Sequence, residues 1–359
     1  MNDVAALEFT RRDEVLATPG FGDVFTDHMV TMRWSTEVGW REAQVGPLTG
    51  MSLHPATMAL HYGQTIFEGM KAFWRPNGQR ALFRAEDHAR RFNNSARRMA
   101  MPTLPEADFV AALEALLRVD GDWVPRARGH SLYLRPFMIA AETGLGLRPA
   151  EEYLFAVIGT PVRPASVDPK AMRLWATPEY VRAAPGGTGA AKCGGNYGGS
   201  FIVQREAAAN HCDDVVWLDA RQRRYVEEAG GSNLFFVEST PDGPRLRTPP
   251  LSGTLLAGVT RNSILRLAES LGYPVSEEPL TLDWWEHSCR TGRITETFAC
   301  GTARSIVPVG HVVSADRDWP VGDGTAGPVT SRLREALLDI HYGEAPDEFG
   351  WMRLVDTDE

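Results

Sequence analysis

The chain has 359 residues, enough for two domains with sizeable cores, and its 43% hydrophobic and 23% charged content is that of an ordinary soluble globular protein. A formal net charge of −9, with no basic stripe to offset it, argues against nucleic-acid binding, and no apolar run has the length a membrane-spanning helix needs. Four widely spaced cysteines without a CxxC pair, no HExxH, and an N-terminus lacking a signal-peptide core argue against a disulfide framework and a metal site and make the cytoplasm the default compartment.

The first part of the chain alternates short strand-like runs with amphipathic helices. HMVTMRW and QVGPLTGMSLH read as strands, while DHARRFNNSARRMAM and EADFVAALEALLRV carry apolar residues at helical spacing. SLYLRPFMIA and YLFAVIGTPV read as buried strands, their β-branched and aromatic content deciding against helix. The polar, proline-containing stretch at 162–172 is the expected interdomain loop. Beyond it, RLWATPEYV, VVWLD, RYVEEAG, NLFFVES and RITETFACG predict strands, and GVTRNSILRLAESLG and SRLREALLDIHYG predict helices. There is no internal repeat. The expectation is an α+β protein with domains at 1–161 and 173–359, the last helix packing the C-terminus against the body.

Residues 186–200, GGTGAAKCGGNYGGS, place seven glycines around Lys192. Glycine lets backbone approach a ligand closely but loses the most entropy on folding, so such density suggests a functional loop. A flexible linker with a solvated lysine is the bland alternative. A phosphate-cradling GxxxxGK[ST] loop fails, because Ala191 and Cys193 flank the lysine. A lysine amine held by close-fitting backbone can form a Schiff base with an aldehyde.

Three further segments fit the same ligand, each with a plainer explanation. EEAGGSNLFFV (227–237) puts a carboxylate at a strand end before a tight turn, where it can face a ligand nitrogen or simply be solvated. Gly258, Val259 and Thr260 lie where a helix begins and can receive a phosphate, or Thr260 can be an ordinary cap. Gly301 and Thr302 end a buried strand, where they can present amides and a hydroxyl to an anion, or form a plain turn. Together, a Schiff-base lysine, a carboxylate for a ring nitrogen and a helix terminus for a phosphate match the parts of pyridoxal 5'-phosphate.

The order GGTGAAKCGGNY, EEAGGSNLFF, LSGTLLAGVTR, CGTA resembles the branched-chain amino acid aminotransferases of pyridoxal-phosphate fold type IV, as do FTDHM (25–29), HYGQTIFEGMKAF (61–73) and LYLRPF (132–137). The resemblance runs from about Phe21 to the C-terminal helix. It implies a smaller N-terminal α/β domain and a larger C-terminal domain with a barrel-like β core and flanking helices. It makes Lys192 the Schiff-base lysine and the base that moves the proton between substrate Cα and cofactor C4′. By the same resemblance Glu228 pairs with the pyridine nitrogen, Tyr197 contacts the phenolic oxygen, and Arg91, Val259, Thr260 and Thr302 hold the phosphate. Phe25, Tyr62, Phe67 and Tyr133 wall the substrate, Arg135 serves the distal carboxylate of glutamate or 2-oxoglutarate, and Thr302 and Ala303 take the α-carboxylate. A homodimer is implied, with the LGL segment at 145–147 reaching the partner's pocket. The implied reaction is reversible transamination of leucine, isoleucine or valine with 2-oxoglutarate.

The chain departs from that pattern in three places. RPAS at 163–166 stands where members carry a Tyr-Phe pair, which could admit bulkier or more polar side chains and keeps open a second reading: a transaminase of a specialised pathway with an unusual aliphatic or aromatic substrate. LAG replaces the LPG before the phosphate helix, so Ala257 stands for proline and a local loosening is expected. The CxxC pair that mammalian members carry after GTA is absent, Arg304 and Val307 holding those places, so no thiol switch of that kind is expected.

Overall fold

A computed structural model describes residues 12–163 and 170–355. The chain divides into two compact units, one made of 1–164 with 339–359 and the other of 165–338. The residues Pro164, Ala165 and Ser166 of the RPAS stretch lie outside the described residues.

The first unit is built on a sheet whose strands are β1 (His28–Ser35), β2 (Gly39–Pro47), β3 (Thr65–Phe67), β4 (Met70–Trp74), β5 (Arg80–Phe83), β6 (Ser131–Ala140), β7 (Glu152–Val162) and β17 (Met352–Val355). Their order across the sheet is β17-β5-β4-β6-β7-β1-β2, with β3 paired to β6. Two helices of the predicted periodicity, α2 (Ala85–Arg98) and α3 (Glu106–Asp120), follow the short α1 (Met58–Tyr62). They meet the sheet through an aromatic triangle: Phe92 lies 5.3 Å from Phe109 and 5.6 Å from Phe155 between ring centroids. Two expectations are corrected here. The predicted strand QVGPLTGMSLH ends at Pro47, where proline and glycines remove donors and stiffness from the run. The last residues do not belong with the second domain, because β17 adds to β5 in antiparallel register, Met352 opposite Phe83. Short C-terminal strands carry little periodicity, and the partner of this one lies far away in sequence.

In the second unit, β8 (Met172–Ala176), β9 (Asp214–Leu218), β10 (Val226–Ala229), β11 (Ser232–Thr240), β14 (Ile294–Gly301) and β15 (Ser305–Val313) close on themselves as a six-stranded barrel. Closure comes from the β10–β11 hairpin, where Glu228 pairs with Asn233 and Ala229 with Ser232. β12 (Gly243–Thr248), β13 (Val275–Glu277) and β16 (Asp318–Pro320) extend the sheet. Strands buried on every side read as unbroken apolar runs, as in DVVWL of β9, buried at all five positions. Leu174, Val216, Leu234, Phe236, Trp285 and Trp319 form part of the main hydrophobic cluster, with Trp285 edge-on to Phe236 at 5.0 Å and to Trp319 at 6.0 Å.

Helices α4 (Gly195–Gly198), α5 (Phe201–Ala209), α6 (Val259–Ser270) and α7 (Leu282–Arg290) flank the barrel strands in sequence, and α8 (Pro328–Tyr342) follows them. The start of α8 is capped from the barrel: the buried Glu296 carboxylate of β14 accepts hydrogen bonds from the Val329 and Thr330 amides at 3.1 and 2.8 Å. Glu296→Ala removes an anion from a helix N-terminus and leaves two donors without their acceptor, so unfolding free energy should fall by about 1–2 kcal/mol in denaturant titrations. An unchanged midpoint would show that the cap is dispensable.

Candidate active site

The glycine-rich run is an ordered loop. Asn196 ties it together, its Oδ1 accepting from the Thr188 hydroxyl at 2.6 Å and its Nδ2 donating to the carbonyls of Thr188 and Ala191, both at 2.8 Å. Gly189 is needed for packing, since a Cβ there would lie 2.2 Å from the Thr254 carbonyl oxygen. Gly194 and Gly195 form the entry to the single helical turn of α4. That turn aims Tyr197 back at the lysine: Lys192 Nζ donates to the Tyr197 hydroxyl at 2.9 Å. Cys193 is buried, as is Ala191 on the other side of the lysine.

Tyr197 and Glu228 line one recess with Arg182, Ala191, Asn196 and Gly231. Burial pushes the Glu228 carboxyl up to about 7, against the pull of the Arg182 guanidinium and a hydrogen bond from the Leu256 amide; Glu227 adds to the rise and Lys192 opposes it. Arg182 Nε lies 2.5 Å from Glu228 Oε1, and both side chains are nearly inaccessible. Arg182 also donates through Nη2 to the Gly189 carbonyl at 3.2 Å and to the Thr254 carbonyl. The adjacent Glu227 faces elsewhere and accepts from the Thr254 hydroxyl.

Beside Glu228, the hairpin carries Asn233 to the start of α6. Asn233 Nδ2 donates to the Leu256 carbonyl at 3.1 Å, and the N-cap of α6 is Gly258, where a Cβ would fall 2.1 Å from Asn233 Oδ1. A glycine there offers no capping side chain, so the first turn, with Val259 and Thr260, presents a backbone terminus suited to an anion. Cys300 of β14 pairs with Asn233, which brings the following turn, with the half-buried Thr302 and the exposed Ala303, to the same end of the barrel. Arg304 in that turn is held by Asp214 at 2.7 Å, and Val307 is buried.

A lysine amine against a tyrosine hydroxyl, a buried carboxyl and a helix N-terminus without a side-chain cap, gathered on one barrel end, are groups that could hold a phosphorylated aldehyde. The class IV amino-transferase family model matches residues 65–312, which contain all of these groups. The chain belongs to the class IV aminotransferases. It is 50% identical over 97% of its length, and 96% of the other's, to a probable branched-chain-amino-acid aminotransferase of Streptomyces coelicolor. To the branched-chain-amino-acid aminotransferase of Mycolicibacterium smegmatis it is 49% identical over 95% of this chain and 93% of that one. Among solved structures it is similar to the Escherichia coli branched-chain amino acid aminotransferase, with a TM-score of 0.76 and 28% identity over 92% of this chain and 100% of that one. It is also similar to a T.th. branched-chain amino acid aminotransferase complexed with N-(5'-phosphopyridoxyl)-L-glutamate, with a TM-score of 0.72 and 30% identity over 90% of this chain and 98% of that one.

The other residues to which family resemblance assigns roles lie in the first unit, most of them in two groups. Phe67, Tyr133 and Arg135 cluster: the guanidinium carbon sits 4.7 Å from the Phe67 ring centroid, and Arg135 Nη2 donates to the Tyr133 hydroxyl at 3.0 Å. Arg91 is gripped by the fully buried Glu68, with both bonds at 2.7 Å, and His88 joins Glu68 at 2.8 Å. Burial works to raise the Glu68 carboxyl, but Arg91 and the hydrogen bonds outweigh it and hold it well below the usual range. Tyr62 stands apart, donating to the Leu145 carbonyl at 2.5 Å, and Phe25 is exposed. Sequence reasoning did not single out Arg182, Asn196, Asn233 or Glu68. Asn196 sits inside the GGNY motif and could have been found as the loop's hydrogen-bonding residue; Arg182 and Asn233 act on carbonyls far along the chain and carry no local signal.

The two carboxyls give opposite pH signatures. The unfolded chain ionises Glu228 in the ordinary carboxyl range, whereas the folded site keeps its proton up to about 7, so folding binds a proton in between and this contribution weakens as pH rises through that window. Glu68 behaves conversely, its contribution being present above the ordinary carboxyl range and lost as pH falls below it. Denaturant midpoints measured from pH 4.5 to 8 should therefore decline less steeply in Glu228→Gln than in the unsubstituted protein. Parallel curves would show that Glu228 titrates as an ordinary carboxyl.

Proposed function

We infer that the protein is a branched-chain-amino-acid aminotransferase that uses pyridoxal 5'-phosphate to move the amino group of L-leucine, L-isoleucine or L-valine to 2-oxoglutarate. The reading is carried by the Lys192–Tyr197 hydrogen bond beside the buried Glu228, in a chain of this family and of this similarity to its branched-chain members. The donor set suits the cofactor chemically: an amine for the aldehyde, a hydroxyl for the phenolic oxygen, an anion for the ring nitrogen, and a helix terminus for the phosphate. When bound, pyridoxal phosphate supplies an electrophilic carbon and an electron-withdrawing ring.

The chain's own residues do the rest. Lys192 would hold the cofactor's aldehyde and act as the base and acid for the substrate Cα proton, a role typically worth about 10²–10⁴-fold. Tyr197, already bonded to that amine, orients it. Glu228 would face the ring nitrogen and hold its proton. Val259, Thr260, Thr302 and Arg91 would hold the phosphate, and Thr302 and Ala303 would take the substrate's α-carboxylate. Phe25, Tyr62, Phe67 and Tyr133 supply the apolar wall, and Arg135, set between two rings, meets the distal carboxylate of glutamate.

An amino-donor panel with 2-oxoglutarate tests the assignment: leucine, isoleucine and valine should be the best donors, and Lys192→Ala should abolish transfer together with the cofactor absorbance band that borohydride removes. A donor outside the three that reacts far faster overturns the branched-chain assignment, and a colourless protein after incubation with pyridoxal phosphate overturns the transaminase itself. The enzyme acts as a homodimer, a reading supported by Leu145 and Leu147, which are 64% and 89% exposed on one segment. Equilibrium sedimentation should give twice the 39.6 kDa chain mass, and a single-chain mass would refute it.

A further inference from the structure

Glu228 can keep a ring nitrogen protonated only while it is itself an anion, yet burial alone favours its neutral acid. The groups that act on its charge are the Arg182 guanidinium, the Leu256 amide, Glu227, which itself faces elsewhere, and Lys192, with Tyr197 in the same recess. Two of these carry positive charge. Lys192 must surrender its own charge to bind an aldehyde, which leaves Arg182 as the one permanent cation among them, since a guanidinium does not deprotonate in proteins.

Its position is fixed independently of Glu228. Arg182 Nη2 is anchored on the carbonyls of Gly189, in the lysine loop, and of Thr254, in the loop before α6, leaving Nε 2.5 Å from the carboxylate. One side chain thus joins the loop that carries the amine, the loop that leads to the phosphate helix and the strand that carries the carboxylate. The neighbouring Glu227 accepts from the Thr254 hydroxyl, and the ion pair that Arg182 makes is with Glu228.

Resting on the transaminase reading above, we propose that Arg182 is a positioning residue of this site, its ion pair holding Glu228 as the carboxylate that meets the cofactor's ring nitrogen. Replacing the guanidinium by a neutral group leaves Glu228 buried with no permanent countercharge, and its proton is then retained to higher pH. Burial already pushes this carboxyl up to about 7 with Arg182 in place.

Infrared difference spectra against pH, taken on the full chain without added cofactor, test this. The carbonyl stretch of a protonated Glu228 is assigned by its disappearance in Glu228→Gln. In Arg182→Gln, which retains amide donors for the two carbonyls, and in Arg182→Met, the titration midpoint of that band should rise by about one to three pH units. In Arg182→Lys, which restores the charge, it should stay within about one unit of the unsubstituted protein. A midpoint unmoved in Arg182→Gln assigns Arg182 to scaffolding alone and overturns the proposal. So does a rise in Arg182→Lys as large as in Arg182→Gln, which remains decisive where Arg182→Met fails to fold. Because no cofactor is present, a negative result leaves the transaminase reading standing, whereas failure of the unsubstituted protein to bind pyridoxal phosphate refutes that reading whatever the infrared midpoints.

Discussion

The pairing of Ala229 with Ser232 across one tight hairpin turn is the constraint from which the site follows. It closes the six-stranded barrel, and closure leaves no freedom in where the hairpin's residues point. Glu228 and Asn233 lie opposite each other in that hairpin: one carries the buried carboxylate and the other the amide that positions the entry to α6. A slip of one residue would turn Glu228 to the opposite face and expose Glu227 in its place. The acid–base character of the site is therefore decided by strand register.

Three buried acids here have identifiable partners. Glu228 has Arg182, Glu68 has Arg91 and His88, and Glu296 has the amides at the start of α8. A buried ion pair adds little net stability compared with a well-packed apolar pair, but breaking one leaves an uncompensated charge at high cost. These acids constrain the fold by what fails when a partner is lost.

Much of this was legible in the sequence because it is local. Helical spacing in α2, α3 and α6 and unbroken apolar runs in β9 and β11 identify those elements directly, and the density of glycine around Lys192 marks the loop as functional. What could not be read is non-local. Arg182 looks like any polar residue before a glycine-rich stretch, and its importance lies in carbonyls at 189 and 254. The strand at 352–355 belongs with β5 because of a register between segments some 270 residues apart, which no window of sequence contains. Family resemblance named Glu228 where local chemistry offered two adjacent glutamates, and the hairpin register supplies the physical reason the two differ.

The burial of Ala191 and Cys193 changes what the glycines around them mean for motion. With those two side chains set into the interior and Asn196 lashing the loop from within, the backbone at 192 is a fixed post. Whatever travel the amine needs comes from the four methylene groups of its own side chain, which swings like a boom from that post. The glycines supply thinness rather than slack, and the reach of the lysine is set by its length.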